Sequence, residues 1–156
     1  MISNERFKGE QFKKENIEPS AYLLGLLSAF NNRYQAVANK GLDGVTWKQF
    51  FTMICIDLFK EAPMITELAA VMQSSHQNVK QILLKLQEKG YVRLIEDQED
   101  RRRQRVEHAS KTQELWKKNS EESLKFIHAL YQGVTEEEVR TTIHTLEKME
   151  RNMQEL

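Results

Sequence analysis

A chain of 156 residues is long enough for one domain with a sizeable core, or for a smaller domain carrying helical extensions that need a partner. With 40% hydrophobic and 29% charged residues it reads as a globular protein, neither disordered nor fibrous. Lys plus Arg and Asp plus Glu both number 23, so the total charge implies no bulk attraction to polyanions. The longest apolar stretches, such as residues 21–30, fall short of the roughly 20 residues a membrane span needs, and no cleavable leader precedes them. One cysteine, Cys55, excludes an internal disulfide framework and suits a reducing compartment, so a cytoplasmic protein is expected.

Residues 1–18 are polar with few apolar anchors and read as a flexible arm. From Pro19 onward Leu23, Leu26, Leu27, Phe30, Tyr34 and Val37 recur at helical spacing and predict a first helix that stops before Gly41 and Gly44. Thr46 and Gln49 have capping-box spacing, and the helix they open is expected to bury Trp47, Phe50, Phe51, Ile54 and Leu58. Pro63 separates it from a short helix over about residues 64–72. Ser75 then caps a helix that runs to Gly90, with Val79, Ile82, Leu83 and Leu86 inward and Gln77, Lys80, Gln81 and Leu84 outward. Residues 91–95 and 104–108 are compatible with two strands joined by a charged tip. The pattern is helical again over 110–131 and 135–156, interrupted at Gly133, with Thr135 and Glu138 as a second capping box. Val139, Ile143, Leu146, Met149 and Met153 form a stripe on the last helix. The fold class is mainly α.

The segment from Gln73 to Arg105 carries the functional signal, with eight basic residues against five acidic, whereas the chain beyond Gly133 is acidic. Two helices joined by a tight turn need a small residue where they touch and branched residues inside the second; Ala69, Val79 and Ile82 have that spacing. Gln73 occupies the turn, where glycine would adopt the required backbone more readily. The second helix of this helix-turn-helix presents Ser75, His76, Gln77, Asn78, Lys80 and Gln81. These include amides that can pair with adenine and a lysine that can donate to guanine. The alternative for each is a solvated residue on an amphipathic helix. The tip Asp97-Gln98-Glu99-Asp100-Arg101-Arg102-Arg103 crowds three cations, which suits phosphates better than a structural hairpin. Arg102 is the expected minor-groove residue, flanked by Arg101 and Arg103, with Asp100 holding a neighbouring arginine by an ion pair.

Glu67-Leu68-Ala69, the run from Val79 to Gly90-Tyr91-Val92, and Asp100-Arg101-Arg102 together resemble the MarR (multiple-antibiotic-resistance regulator) family of transcription factors, over roughly residues 20–150. The resemblance implies a homodimeric winged helix-turn-helix with a small β-hairpin wing and flanking dimerisation helices. It further implies recognition helices in the major groove of an inverted repeat, wings in the minor groove, and relief by a small aromatic ligand as an open possibility. Gln98 stands where the family has proline, and His108-Ala109-Ser110-Lys111-Thr112 lacks its usual Leu-Thr and glycine. The implied organisation is a dimerisation helix at 19–44, the winged helix at 45–109 and dimerisation helices at 110–156. An independent reason for dimerisation is that the first and last helices carry more apolar stripe than a small winged-helix core can cover.

Weaker signals are weighed against plain packing. Phe30, Tyr34, Trp47, Met53 and Trp116 are candidates for a ligand cavity, with ordinary core as the alternative. Cys55 reads as a buried inert thiol, with redox sensing as the other reading. His76, His108, His128 and His144 form no ligand cluster, so no metal or other cofactor is expected. No phosphate loop or nucleophile arrangement suggests an enzyme. The competing class is a winged-helix protein-interaction module without specific DNA binding, which exposed Leu84 would serve.

Overall fold

In the computed structural model, residues 17–100 and 102–156 are described. The expected arm therefore falls almost wholly outside the described residues, as does Arg101 of the wing. The elements are α1 (Pro19–Gly41), α2 (Trp47–Asp57), α3 (Ile65–Val71), α4 (His76–Glu88), β1 (Val92–Glu96), β2 (Gln104–His108), α5 (Ser110–Leu130) and α6 (Glu136–Gln154).

Local chemistry sets most of these boundaries. The hydroxyls of Thr46, Ser75 and Thr135 accept amide N–H groups of Gln49, Asn78 and Glu138, and Gln49 and Glu138 reach back to complete two capping boxes. The carboxylate of Glu67 accepts the Met64 N–H at 2.7 Å, a cap the sequence reading did not name because methionine is no capping residue. Two helices end alike: Ser74 N–H donates to the Ala69 carbonyl and Tyr91 N–H to the Leu86 carbonyl, the long bond of a Schellman motif. That motif needs a left-handed residue, supplied by Gly90 at φ 77° after α4 and by Gln73 at φ 47° after α3. The strain expected at Gln73 is present.

The core gathers where α2, α3, α4 and the hairpin meet. Met53, Leu68, Val79, Leu83, Leu86, Val92 and Val106 are fully buried, and each such side chain contributes about 1.5–3 kcal/mol relative to exposure. Ala69 is buried at the junction of the two helix-turn-helix helices. On α2, Phe50 is buried and Trp47 and Ile54 are half-buried, but Phe51 and Leu58 are exposed while Met53, Cys55 and Ile56 are enclosed. The reason is tertiary: α2 contacts α1, α3, α4 and β2, so its covered face is wider than, and rotated from, the single stripe that periodicity suggests.

β1 and β2 pair antiparallel, with Leu94 opposite Val106 and Glu96 opposite Gln104. A bridge between Met64 and Arg105 and the bond from Val106 N–H to the Pro63 carbonyl lay the loop before α3 along β2. α5 leaves the hairpin and returns to the core through Thr112, Leu115 and Asn119, whereas α6 buries no residue. Ile143 at 51% and Met153 at 64% exposure, with Leu26, Phe30, Leu124 and Ile127, leave an apolar surface on the flanking helices.

Gln73→Gly removes the left-handed penalty of about 1–2 kcal/mol against an entropic cost of about 0.4–1 kcal/mol. Urea unfolding should show that variant more stable by a few tenths to about 1 kcal/mol, and Gln73→Val less stable.

Candidate nucleic-acid interface

α4 is held at its first turn so that polar groups face outward. Ser75 caps the helix, accepting Asn78 N–H at 3.2 Å, and the Asn78 side-chain amide donates to the Ser74 hydroxyl at 2.8 Å. Both are committed to the cap, although exposed. Gln77, Lys80 and Gln81 point to solvent, opposite buried Val79, Leu83 and Leu86. His76, the first residue of α4, lines a cleft of about 430 Å³ together with Lys80, Arg102, Arg103, Thr66 and Gln104. Thus the start of α4 and the wing form one surface, on which no acidic side chain among the described residues lines the cleft. Thr66 and Gln104 were not foreseen, because α3 and the foot of β2 meet α4 only in the fold.

The wing tip owes its shape to two aspartates. Asp100 accepts the Arg102 N–H at 3.0 Å and ion-pairs Arg103 at 3.3 Å, so the arginine it holds is Arg103, while Arg102 makes no ion pair among the described residues. Asp97 does more. Its Oδ1 accepts the Glu99 and Asp100 N–H groups at 3.0 and 2.9 Å, and its Oδ2 receives the Arg105 guanidinium. Arg105 also donates to the Ala62 carbonyl at 2.8 Å, tying the tip to the loop that leads into α3. The Arg105 hydrogen bond, then the Asp100 amide, hold the Asp97 carboxyl below the usual carboxylate range. Neither residue was singled out in the sequence as an anchor, although an aspartate followed by amides two and three residues on is a turn signature that could have found Asp97.

The other candidates are dispersed. Phe30 stacks on Tyr34 at 6.0 Å, Tyr34 meets Trp47 edge-on at 4.8 Å, and Trp47 reaches Trp116 through Phe50, whose rings lie 6.0 and 4.8 Å away. Met53 is fully buried in the core. Of the five expected cavity residues, Trp116 lines an open groove of about 350 Å³ with Ile54, Asp57 and Asn119. Burial pushes the Cys55 thiol up, which disfavours thiolate chemistry there. His108 bonds Asp57 at 2.8 Å and lies against Trp116, joining the end of β2 to α2. No helix among the described residues is long and apolar enough to cross a membrane.

Residues 44–103, the segment containing α2, α3, α4, β1 and the wing tip, match the model of the MarR family. Over that segment the chain is similar to the MarR family. Solved structures extend the likeness beyond that segment. A MarR protein from Peptoclostridium difficile is 22% identical, covering 94% of this chain and 95% of its own, with TM-score 0.71. A MarR/EmrR family transcriptional regulator from Acinetobacter sp. ADP1 is 15% identical over 90% and 100%, with TM-score 0.75. MepR of S. aureus, solved as a DNA complex, is 18% identical over 88% and 99%, with TM-score 0.74. Likeness at these identities establishes the fold: a MarR-type winged helix with flanking helices. No curated protein matches the chain.

Because Asp97 is held as a carboxylate by the folded wing, its contribution is present above the unfolded titration near pH ~3.9 and is lost as pH falls through the lower folded value. Asp97→Asn should therefore lower the thermal midpoint at pH 7, and the gap from the native protein should close as both are taken below about pH 4.

Proposed function

We propose that the protein is a sequence-specific regulator of transcription that binds duplex DNA as a homodimer. The observation that carries this reading is the surface shared by α4 and the wing: outward amides and a lysine on the helix, Arg102 and Arg103 beside them, and a cleft whose lining carries cations and no carboxylate among the described residues. Gln77, Lys80 and Gln81 suit base edges in the major groove. Ser75 and Asn78 hold the amino end of α4 in shape, so that its first turn can face a phosphate. Arg102, whose side chain has no carboxylate partner among the described residues, is the minor-groove residue, and Asp100 aligns the turn that displays it. The MarR-family match over 44–103, and the solved DNA complexes of MepR and of Streptococcus pneumoniae FabT, support the same reading.

The apolar faces of α1, α5 and α6 supply the dimer, which assigns 19–44 and 110–156 to dimerisation and 45–109 to DNA. A two-fold pair would offer its α4 helices to half-sites about 34 Å apart, so the operator is an inverted repeat. Occupancy of a promoter by such a dimer represses. Such a regulator is not an enzyme, and it works in the cytoplasm, where the DNA is. The aromatic row from Phe30 to Trp116 borders the groove beside α5, where a small aromatic ligand would relieve repression by favouring a dimer of altered half-site spacing.

Selection from a random duplex library should return an inverted repeat. Arg102→Ala should weaken its binding about tenfold and reduce the salt slope by about one per subunit. Recovery of no sequence, with binding unaffected by that substitution, would turn the search to a protein partner at exposed Leu84. Separately, Ile143→Glu with Leu146→Glu on α6 should convert the dimer to a folded monomer in light scattering and abolish the preference for paired half-sites.

A further inference from the structure

His76 is the one imidazole among the described side chains lining the cleft between α4 and the wing, and imidazole is the side-chain class that can gain a proton near neutral pH. Lys80 from its own helix and Arg102 and Arg103 from the wing face it as cations, while Thr66 of α3 and Gln104 of β2 carry no charge. Of the carboxylates on the neighbouring elements, three are held elsewhere, and Glu96 and Glu99 of the wing are not among the residues lining the cleft. Glu67 of α3 accepts the Met64 amide, Asp100 holds Arg103 and the Arg102 amide, and Asp97 is taken by Arg105. No acidic side chain lining the cleft is therefore available to His76 as a counter-ion.

A phosphate entering this cleft would bring negative charge beside the imidazole at the amino end of a 13-residue helix. That charge favours the protonated ring, which gains a charge-assisted hydrogen bond to the phosphate oxygen. We propose that His76 takes up a proton when a backbone phosphate of duplex DNA occupies the cleft, so that the protein holds DNA more tightly as pH falls. The inference rests on the DNA-binding reading above and adds its regulation. The sign follows from linkage: the bound state holds the extra proton, so binding tightens as pH falls. The remaining histidines do not share this position. His108 bonds Asp57, and His128 and His144 lie on α5 and α6.

The test is fluorescence anisotropy of the selected operator duplex at constant ionic strength between pH 6 and pH 8, on the full chain, on His76→Gln and on His76→Lys. Circular dichroism establishes that all three are folded at each pH. Each unit by which DNA raises the imidazole pKa is worth up to about tenfold in affinity per subunit. The native protein should therefore bind several-fold more tightly at pH 6 than at pH 8, with net proton uptake seen by calorimetry in buffers of different ionisation enthalpy. His76→Gln should be weak and flat with pH, and His76→Lys flat and tight. Salt-sensitive binding by the native protein that does not change with pH, or a pH dependence that survives in His76→Gln, overturns the inference and leaves the regulator reading intact. Absence of duplex binding at every pH in the folded native protein overturns that reading, and this inference with it.

Discussion

The reading surface depends on one long-range tie, the bridge that Arg105 makes between the Asp97 carboxylate and the Ala62 carbonyl. A two-stranded hairpin has little stability alone in water. Here Val106 N–H donates to the Pro63 carbonyl beside that bridge, so the loop before α3 serves as a short third edge to the sheet. The same aspartate accepts two amides of the tip. One buried carboxylate thus sets the shape of the tip and, through Arg105, its position relative to the helix-turn-helix.

The helix-turn-helix supplies the other half of that geometry through close packing. Ala69 lets α3 approach α4, and the left-handed residue between them, Gln73, carries a conformational cost that the enclosed Leu68, Val79 and Leu83 over-determine. With both halves fixed, cations that are far apart in the chain line one cleft. Repulsion among Lys80, Arg102 and Arg103 is relieved by a polyanion, and that is the physical reason to read the surface as a DNA site. The flanking helices present the complementary case: α6 encloses nothing, so its apolar stripe has value only against another surface.

Much of this was legible in the residues. Ser75, the two capping boxes and the inward set of α4 act within one or two turns of chain, so their roles follow from spacing alone. The strain at Gln73 could be anticipated for the same reason. Expectations failed where the partner lies far off in sequence. Phe51 and Leu58 share the periodicity of Phe50 but lie outside the area that α1, α3, α4 and β2 cover. The aromatic candidates form a row of rings of which Trp116 lines a groove, because their neighbours come from α1, α2 and α5.

The sequence by itself determined the order and bounds of the helices, the hairpin, and which residues of α4 face outward, since caps, turns and periodicity are local properties of the backbone. The fold settles that Arg105 neutralises Asp97, that Asp100 holds Arg103, and that His76 shares a cleft with the wing. Those pairings depend on which surfaces are brought together when the core closes. Hydrophobic burial drives that closure without regard to the charges it carries along.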